Sequence, residues 1–426
     1  MKICEALDTA DDIAAIFDRA EESLKPVFAK IDLNEQIGQC RVLSAMRTNK
    51  IAQRHFAPTT GYGYGDEGRE ALDRVYADVF GTEDALVRLN WVSGSHVLGD
   101  ALFALLRPGD ILLSATGKPY DTLGSIIGHG DEKNCSSLRA WDIGYKQIEL
   151  KETGGMDVKS VLFAIEREPR IKAVLIQRSR GYAWRKALSI DEMEEAISAV
   201  KTAAPWVNIL VDNCYGEFVS DREPSHIGAD LTVGSLIKNP GGGLSPCGAY
   251  AVGTRYAIDR LAQRATAASI GKEVGAGPYG YRELFMGLFM APHIVAQTLK
   301  VAALAAHVFQ DMGYEVSPEP EDERSDIIQA IRFDDAESLI HFCQQIQSMS
   351  PVDSHVTPQP WDMPGYSHQV IMAAGTFIEG ASIELSADAP IREPYTAYLQ
   401  GGLTYAHGKM ALMRTADTIY KGRKED

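Results

Sequence analysis

The feature that most constrains the fold is an alternation of short apolar runs with longer helical patterns. The runs are rich in Val, Ile and Leu and cover residues 85–90, 110–115, 172–177, 208–213, 231–236 and 248–253. Amphipathic stretches such as 96–106 and 189–203 lie between them. Apolar strands separated by helices predict an α/β fold with a mostly parallel sheet and helices on both of its faces. In such sheets ligands bind beyond the carboxyl ends of the strands, so functional residues are expected there.

The chain has 426 residues, too many for one ordinary core, and three regions differ in pattern. Residues 1–75 predict an N-terminal helical extension, with a helix over 9–24, followed by an ordered loop. Residues 76–300 predict the large sheet domain. Residues 301–426 predict a smaller α+β domain, entered through a long helical pattern over 281–312. Its short strands are expected over 327–333, 370–377 and 381–387.

Composition argues against several classes of partner. The formal charge of −16 disfavours nucleic acid and anionic membrane surfaces, both of which bind clustered cations. No uninterrupted run approaches about eighteen apolar residues, so we expect no membrane span, and the acidic N-terminal stretch does not resemble a signal peptide. Six scattered cysteines without a C-x-x-C pair indicate reduced thiols and a cytoplasmic location. The histidines form no H-E-x-x-H motif or Cys/His cluster, so no metal site is expected.

One lysine stands where the backbone must turn tightly. Lys238, in GSLIKNPGGG (234–243), follows an apolar run and precedes a proline and three glycines. Lysine side chains are usually solvated, and a loop lysine in water is the ordinary interpretation. Burial at a strand end would instead lower its pKa, because burial disfavours the ammonium form. The neutral amine of such a lysine can form a Schiff base with a carbonyl group.

Polar residues also follow three other predicted strands. Asp212 ends the apolar run ILVD, where a carboxylate either holds a cationic ligand nitrogen or caps the following turn. Between a strand and a helix lie Ser93, Gly94, Ser95 and His96. Backbone N–H groups at a helix start attract phosphate, although a plain serine N-cap has the same sequence. Gln177 is followed by arginines that either bind a carboxylate or phosphate or lie solvated in a loop, namely Arg178, Arg180 and Arg185.

These parts have one economical interpretation, which is a pyridoxal-phosphate site. The cofactor needs a Schiff-base lysine, an acidic partner for its pyridinium nitrogen and an anchor for its phosphate. Lys238, Asp212 and the segment 93–96 could supply the three. The pyridinium ring then accepts electrons from a carbanion at the α-carbon of an amino-acid substrate.

The order of the motifs resembles the fold-type-I pyridoxal-phosphate enzymes of cysteine and methionine metabolism. The chain presents SGSH, PYDT, VDNCY and SLIK in that order. Longer stretches between about 177 and 409 are similar to the methionine γ-lyase-like subgroup, often labelled aluminium-resistance proteins or cystathionine β-lyases. They are QRSRGYAWR, GSLIKNPGGG, YRELFMGLFMAPHIV, VIMAAGTFIEGASIELSADAPIREPY and GGLTYAHGK. The resemblance implies an aspartate-aminotransferase-like fold, with a mostly parallel seven-stranded sheet and a small C-terminal domain.

The resemblance also implies a role for individual residues. Lys238 would carry the cofactor as a Schiff base and then act as acid and base, while Asp212 would pair with the pyridine nitrogen. Tyr120 would stack on the cofactor ring. The phosphate would be held by the start of a helix and by a serine before the lysine, namely Ser93, Gly94, Ser95, His96 and Ser235. Tyr62 or Tyr64 would enter the site of a neighbouring subunit, which implies a homodimer or homotetramer.

Two departures from the better-known lyases concern arginines. Their Y-x-R motif is replaced by GYGYGDEGR, so the phosphate-neutralising role falls to Arg69 or to an arginine of 178–185. Glu384 stands in the region of their substrate-carboxylate arginine. Arg392 is the candidate for a bidentate carboxylate clamp, with a surface salt bridge as the alternative. Gln177 and Arg178 are the other residues expected to contact the substrate.

The expected activity is that of a pyridoxal-phosphate-dependent carbon–sulfur lyase, which eliminates a thiol from a sulfur amino acid such as cystathionine, cysteine or methionine. An aminotransferase is the rival enzyme, since the same lysine and aspartate serve both reactions. A non-catalytic protein that sequesters metal is a third hypothesis, against which the acidic residues are dispersed. The choice of substrate, and of β- or γ-elimination, depends on side-chain placement that motif spacing does not give.

Overall fold

The computed structural model describes residues 9–128, 136–363 and 366–425, and over these ranges helices pack on two β-sheets. The helices are α1 (Asp11–Thr48), α2 (Glu67–Val79), α3 (Gly94–Leu105), α4 (Asp121–Ile127), α5 (Val158–Arg167), α6 (Ile190–Ala203), α7 (Arg255–Ala265), α8 (Arg282–Asp311), α9 (Ala336–Ser348) and α10 (Tyr405–Glu425). The large sheet contains β1 (Asp84–Arg88), β2 (Ile111–Ser114), β3 (Gly144–Gln147), β4 (Ile171–Gln177), β5 (Asn208–Asp212), β6 (Leu231–Ser235) and β7 (Ala249–Gly253). The small sheet contains β8 (Glu315–Ser317), β9 (Gln329–Arg332), β10 (Val370–Ala373), β11 (Ser386–Pro390) and β12 (Thr396–Gln400).

The large sheet has seven strands in the order β1-β7-β6-β5-β4-β2-β3. β7 runs antiparallel to both of its neighbours, and the other pairs are parallel. Alternate residues of β4 face opposite helical layers, because Ala173 and Leu175 pack with α3 and α7 whereas Val174 and Ile176 pack with α5 and α6. Helices therefore cover both faces, which explains why the central strands are continuous apolar runs.

The small sheet is antiparallel, with the strand order β10-β11-β12-β9-β8. Ala387 of β11 and Leu399 of β12 belong to the core that the sheet shares with α9 and α10. Side chains along a strand alternate between the two faces, so Asp388, Tyr398 and Gln400 face the other way. That second face is turned toward the carboxyl ends of the large-sheet strands.

Two long helices contact the cores of both sheets. α1 places Phe17 in the core of the small sheet and Val42 in that of the large sheet. α8 does the same with Phe309 and Leu288. By length and composition α8 could cross a membrane, with a mean hydropathy of 1.4 over its most apolar window, but 72% of that window is buried within the protein. Its apolar character is that of a helix packed between two sheets.

Some boundaries differ from the sequence expectations. The helix predicted over 9–24 is only the first part of α1, which continues through Pro26 to Thr48. A proline inside a helix costs about 3 kcal/mol, and burial of apolar residues on both sides of it offsets that cost. The pattern missed β3, which is a partly exposed edge strand without an apolar run. The strand predicted over 381–387 overlaps β11 only at its end.

Candidate active site

A cavity of about 500 Å³ lies where the carboxyl ends of the large-sheet strands face the small sheet. On the large-sheet side it is lined by the residues that follow β1, β2, β4, β5 and β6. On the small-sheet side it is lined by Asp388, Arg392, Tyr398 and Gln400. The location is the one that the topology of parallel α/β sheets favours for ligands.

Lys238 lines this cavity from the turn that follows β6. Its Nζ lies 3.9 Å from the centre of the Tyr215 ring. The glycines after it let the chain fold back against the strand end, because a Cβ on Gly241 would overlap the carbonyl oxygen of Leu236. Gly242 follows with a φ of +52°, which favours glycine. The proline and glycines thus hold the lysine at the strand end.

The electrostatic environment of Lys238 differs from the sequence expectation. Burial lowers the pKa of the Lys238 amine, but the surrounding groups raise it by more, so the net shift is upward. These groups are Cys214, Tyr215, Asp212 and Tyr120. The expected lowered pKa is wrong because it considered burial alone and omitted the neighbours that favour the ammonium form.

Asp212 is the last residue of β5, and its carboxyl is buried beside Lys238. Its Oδ1 accepts a hydrogen bond from the backbone N–H of Cys214 at 3.1 Å. Burial raises the pKa of Asp212, and the charge of Lys238 and this hydrogen bond act in the opposite direction. The carboxyl therefore caps the turn, and it also lines the cavity, where it would stabilise a cationic group.

Tyr120 and Gln177 are hydrogen-bonded neighbours in the cavity wall. The Tyr120 hydroxyl lies 3.2 Å from Ser95 Oγ, and burial raises the pKa of this hydroxyl. The backbone N–H of Tyr120 donates to Gln177 Oε1 at 3.1 Å, while Gln177 Nε2 donates to the carbonyl of Ser179. Gln177 lines the cavity, and its hydrogen bonds position the tyrosine.

The predicted phosphate cradle is the start of α3. Ser93 is the N-cap residue, and its Oγ accepts from the backbone N–H of His96 at 3.2 Å. A Cβ on Gly94 would lie 3.2 Å from Cys214 Sγ and 3.3 Å from Ser235 Cβ, so the glycine lets three chain segments meet. Ser93, Gly94, Ser95 and Ser235 all line the cavity. The N-cap interpretation and the cradle interpretation therefore describe the same residues.

Two predicted site residues lie elsewhere. His96 is exposed on α3, with its Nε2 3.6 Å from Asp100, and it does not line the cavity. Arg178 is fully buried behind the site, where it donates to Asn213 Oδ1 at 2.9 Å and to the carbonyl of Gly216 at 2.8 Å. The sequence analysis predicted that Arg178 contacts the substrate. Its guanidinium instead holds the turn after β5, because that turn offers it several acceptors.

The remaining arginines have distinct environments. Arg69 is buried, and its guanidinium donates to the carbonyls of Gly63, Glu273 and Gly275, outside the cavity. Arg392 is exposed at the cavity rim, with Nη2 3.5 Å from the carbonyl oxygen of Tyr182.

Two arginines of the segment 178–185 line the cavity. Arg185 donates to the carbonyls of Gln177 and Ser179. Arg180 is buried and donates through Nη1 to the carbonyl of Ser317, and no residue in the described ranges accepts from its Nε or Nη2. Arg180 is therefore the arginine of this segment best placed to bind an anion.

Glu384, which replaces the expected arginine, is buried and points into its own chain segment. It accepts hydrogen bonds from the backbone N–H groups of Phe377 and Ile378 at 2.9 Å and 3.0 Å. Burial raises its pKa, and these two hydrogen bonds act against that. The residue therefore stabilises a turn and does not line the cavity.

Tyr62 and Tyr64 lie on the surface of the chain, 72% and 68% exposed, with ring centres 5.6 Å apart. Neither lines the cavity of its own chain. Their expected role in a neighbouring subunit's site stays a prediction.

Apart from Arg392, sequence reasoning missed the small-sheet side of the cavity. Asp388 accepts hydrogen bonds from the Tyr182 hydroxyl and from Gln400 Nε2, and Tyr398 lies beside them. Tyr215, under the Lys238 amine, was also not assigned a role, although it belongs to the VDNCY motif. The alternation of polar and apolar residues in SADAP and TAYLQ was the available signal.

The residues present fit pyridoxal phosphate. A lysine amine, a buried carboxylate and a tyrosine ring meet at one cavity, and two serines stand at a helix start that a side chain on Gly94 would crowd. This donor set matches the carbonyl, pyridine nitrogen and phosphate of the cofactor. In the described ranges, no three His, Cys, Asp or Glu side chains cluster to hold a metal ion.

Comparison with known proteins identifies close relatives. The sequence profile of the family described as methionine γ-lyase matches residues 13–420. An uncharacterised protein of Bacillus subtilis, YnbB, is 48% identical over 414 residues, which cover 97% of this chain and 95% of YnbB. A solved structure described as a carbon–sulfur lyase involved in aluminium resistance, from Clostridium novyi, is 45% identical, with a TM-score of 0.94 and coverage of 98% of both chains.

More distant solved structures share the fold alone. Cystathionine γ-synthase from Xanthomonas oryzae is 14% identical, with a TM-score of 0.60, and the match covers 90% of this chain and 98% of that one. A pyridoxal-phosphate-dependent protein from Escherichia coli, YhfS, is 16% identical with a TM-score of 0.62, over 91% of this chain and 96% of that one. The predicted fold-type-I class is confirmed. With a family profile that matches residues 13–420, the chain belongs to the methionine γ-lyase family.

Proposed function

We propose that this protein is a pyridoxal-phosphate-dependent lyase that eliminates a thiol from a sulfur amino acid. The observation that carries the proposal is the convergence of Lys238, Asp212 and Tyr120 on one cavity at the strand ends. Family membership supports it, and so does the description of the Clostridium novyi relative as a carbon–sulfur lyase.

Each residue has a task that its position permits. Pyridoxal phosphate, when bound, supplies an electron sink for a carbanion at the substrate α-carbon. Lys238 would remove and return the proton at that carbon, in the neutral form that its amine has once the substrate amine has displaced it from the cofactor. Asp212 would keep a proton on the pyridine nitrogen through its negative charge. Tyr120 would cover one face of the ring, and Ser95 and Ser235 would donate to the phosphate.

The substrate carboxylate has two candidate partners. Arg392 stands at the rim, and Arg180 lies inside with two guanidinium nitrogens that no residue in the described ranges engages. A planar guanidinium binds a carboxylate through two parallel hydrogen bonds. We propose that Arg392 receives the carboxylate and that Arg180 adds positive charge behind it.

The first test is whether the cofactor becomes attached to Lys238. The protein is incubated with pyridoxal phosphate, reduced with borohydride and digested, and the modified peptide is identified by mass spectrometry. We expect the modification on Lys238, and we expect Lys238→Ala to lack the visible absorption of the bound cofactor. Lys118→Ala is the matched control, because Lys118 also lines the cavity, and it should keep the modification on Lys238. Attachment at Lys118, or at neither lysine, contradicts the proposal.

The reaction is then identified from its products. The cofactor-loaded protein is given cystathionine, cysteine or methionine, with and without an added 2-oxo acid. The 2-oxo acid formed is measured together with the sulfur product, which is hydrogen sulfide from cysteine and a thiol from the other two substrates. We expect both products in equal amounts without the co-substrate. A new amino acid formed only when a 2-oxo acid is added would identify the rival aminotransferase. No sulfur product from any of the three substrates would count against a lyase.

We further propose that the protein works as a homodimer or homotetramer in the cytoplasm. The exposed Tyr62 and Tyr64 support a subunit contact, because paired aromatic rings in water favour burial. Cys40, Cys214, Cys247 and Cys343 are free thiols, which supports a reducing compartment.

A further inference from the structure

One carboxylate of the cavity has no part in the chemistry proposed above. Asp388 lines the cavity from β11 and is 8% exposed. The other cavity carboxylates are engaged, since Asp212 faces Lys238, and Asp121 lies 3.8 Å from the amine of Lys118. A carboxylate that is buried without a function would be costly, so Asp388 calls for a partner.

The hydrogen bonds of Asp388 leave half of its carboxylate free. The Tyr182 hydroxyl donates to Oδ2 at 3.2 Å, and Gln400 Nε2 donates to the same oxygen at 2.8 Å. In the described ranges no residue donates to Oδ1 or forms an ion pair with Asp388, and the ammonium of Lys238 acts on it only beyond ion-pair distance. That charge is no longer available when Lys238 holds the cofactor as a Schiff base. Two neutral donors on one oxygen fix the orientation of the group without neutralising its charge.

Tyrosine rings surround this carboxylate. The ring centre of Tyr182 lies 5.7 Å from that of Tyr366 and 5.3 Å from that of Tyr398, and all three side chains line the cavity. The faces of aromatic rings attract cations, most strongly where water is excluded. The carboxylate and the rings together therefore favour a positively charged ligand group at this wall.

The substrate groups already assigned do not supply that charge. The amine at the α-carbon is committed to the cofactor, and the carboxylate is committed to Arg392 and Arg180. The charge must come from the part of the substrate beyond sulfur, which leaves as the thiol. A methyl thioether such as methionine has no cation there, whereas a thioether with a distal amino group has one.

We infer that Asp388 is a specificity-determining residue that selects substrates whose leaving group carries an ammonium group. The inference rests on the proposed lyase activity for its catalytic consequence. Asp388 contacts the leaving group and none of the reacting atoms. Its removal should therefore change which thioether is preferred, rather than abolish elimination.

A pair of nearly isosteric substrates tests the inference. S-(2-aminoethyl)cysteine and S-propylcysteine differ by an ammonium in place of a methyl group, and the homocysteine pair serves if the enzyme cleaves the longer chain. We expect wild type to favour the amino substrate in kcat/KM by about 10- to 100-fold, as for a hydrogen bond to a charged group. Asp388→Asn should bring the ratio close to one. A ratio that Asp388→Asn leaves within about twofold of wild type overturns the inference.

Two further variants separate charge from structure. Tyr182→Phe removes the hydrogen bond to Oδ2 but keeps the carboxylate and the ring, so a preference for the amino substrate should persist. Asp388→Glu keeps the charge and should retain part of the preference. The inference is overturned if both variants lose the preference for the amino substrate. That result would show that the packing of the cavity wall, and not the charge of Asp388, determines the preference.

Binding of non-reacting analogues keeps this test independent of the lyase proposal. 3-(2-Aminoethylthio)propanoate and 3-(propylthio)propanoate lack the α-amine, and their affinities are measured by calorimetry on cofactor-loaded protein that has been reduced with borohydride. The reduction fixes the cofactor to the protein, so that the amine of the analogue cannot react with it. If neither cysteine derivative is cleaved but wild type binds the amino analogue more tightly and Asp388→Asn does not, the selection stands and the lyase proposal fails. If both cysteine derivatives are cleaved, and the ratio of their kcat/KM values is the same in wild type and in Asp388→Asn, the lyase proposal stands and the role of Asp388 fails. Wild type without preference for the amino analogue also contradicts that role.

Discussion

At the scale of single residues, the charge of Lys238 depends on a few close neighbours. Burial raises the pKa of the Cys214 thiol and of the Tyr120 hydroxyl. Burial also raises the pKa of Glu217, which accepts from the Tyr250 hydroxyl, to about 8. Cys214 and Tyr215 raise the pKa of Lys238 most, and Asp212 is the carboxylate that adds to them. One carboxylate thus serves both the lysine and, when bound, the pyridine nitrogen.

Burial also shifts the pKa of Asp388, so the substrate preference that this residue confers should depend on pH. Burial raises the pKa of Asp388 to about 6, and its hydrogen bonds with Tyr182 and Gln400 and the charge of Lys238 act in the opposite direction. A carboxyl with a raised pKa is ionised above that value and becomes neutral as the pH falls through it. The preference for the ammonium-bearing substrate should therefore decrease about tenfold between about pH 8 and pH 5. The measurement is the ratio of the two kcat/KM values at each pH, in which effects common to both substrates cancel.

Asp388→Asn provides the control for this pH dependence. Its amide does not titrate, so the ratio should stay constant across the same range. A wild-type ratio that is flat with pH, or an Asn variant whose ratio still falls on acidification, would assign the effect to another group.

At the scale of elements, the segments after β4 and β5 support each other from behind the cavity. Arg178 crosses between them and donates to Asn213, to the carbonyl of Gly216 and to Ser220 Oγ, while Glu223 lies 3.7 Å away. The turn that it holds carries Tyr215, whose ring lies under Lys238. Tight turns that present functional side chains depend on such buried donors, since their backbone carbonyls cannot pair within a strand.

Replacement of Arg178 should therefore lower the stability of the protein and leave its affinity for substrate largely unchanged. Arg178→Ala removes the donor to Asn213, to the carbonyl of Gly216 and to Ser220, while Glu223 keeps its ion pair with Arg41. The buried acceptors lose their partner, and the free energy of unfolding should fall by about 3 kcal/mol. The urea midpoint at constant m-value measures this. Arg222→Ala is the matched control, because the partners of Arg222 in the described ranges are the exposed carboxylates of Asp191 and Glu194. Its replacement should cost less than about 1 kcal/mol. An unchanged midpoint with a raised KM would restore the substrate-binding role that the sequence suggested.

The elements also explain which parts of the site could be predicted. The cofactor side follows apolar strands buried on both faces, so the strands are visible in the sequence and Lys238, Asp212 and Ser93–Ser95 follow from their ends. The substrate side lies on β11, whose sequence SADAP contains Asp, Ala and Pro, all of which are infrequent in strands. Asp388 joins Gln400 only when β11 pairs with β12, which is a long-range contact that spacing alone does not encode.

At the scale of the whole molecule, the cavity depends on how the two sheets are held together. α1 and α8 contact the cores of both sheets. Closer to the cavity, Arg180 donates to the carbonyl of Ser317, and Tyr182 donates to Asp388. The substrate side and the cofactor side are therefore connected by packed helices and by hydrogen bonds across the cavity. A change in either connection would alter the distance between Lys238 and Asp388.

The loop that carries Tyr62 and Tyr64 suggests that a second copy completes the site. Its backbone is fixed, because Arg69 donates to the carbonyl of Gly63 at 2.8 Å and the N–H of Gly275 donates to the carbonyl of Tyr62 at 3.0 Å. A rigid loop nevertheless leaves both tyrosine rings in water. Aromatic residues are enriched at the centres of subunit contacts, and most homodimers are symmetric, so each copy would offer its tyrosines to the other.

Mixing two inactive variants distinguishes a shared site from a self-contained one. Lys238→Ala keeps the tyrosines but lacks the lysine, and the double variant Tyr62→Ala with Tyr64→Ala keeps only the lysine. In a hybrid dimer with shared sites, one site has both, and random pairing of equal amounts then gives about a quarter of wild-type activity. Differently tagged chains, refolded together and purified through both tags, measure the activity of the hybrid itself. Hybrid dimers that form but remain inactive would mean that the tyrosines do not act across subunits.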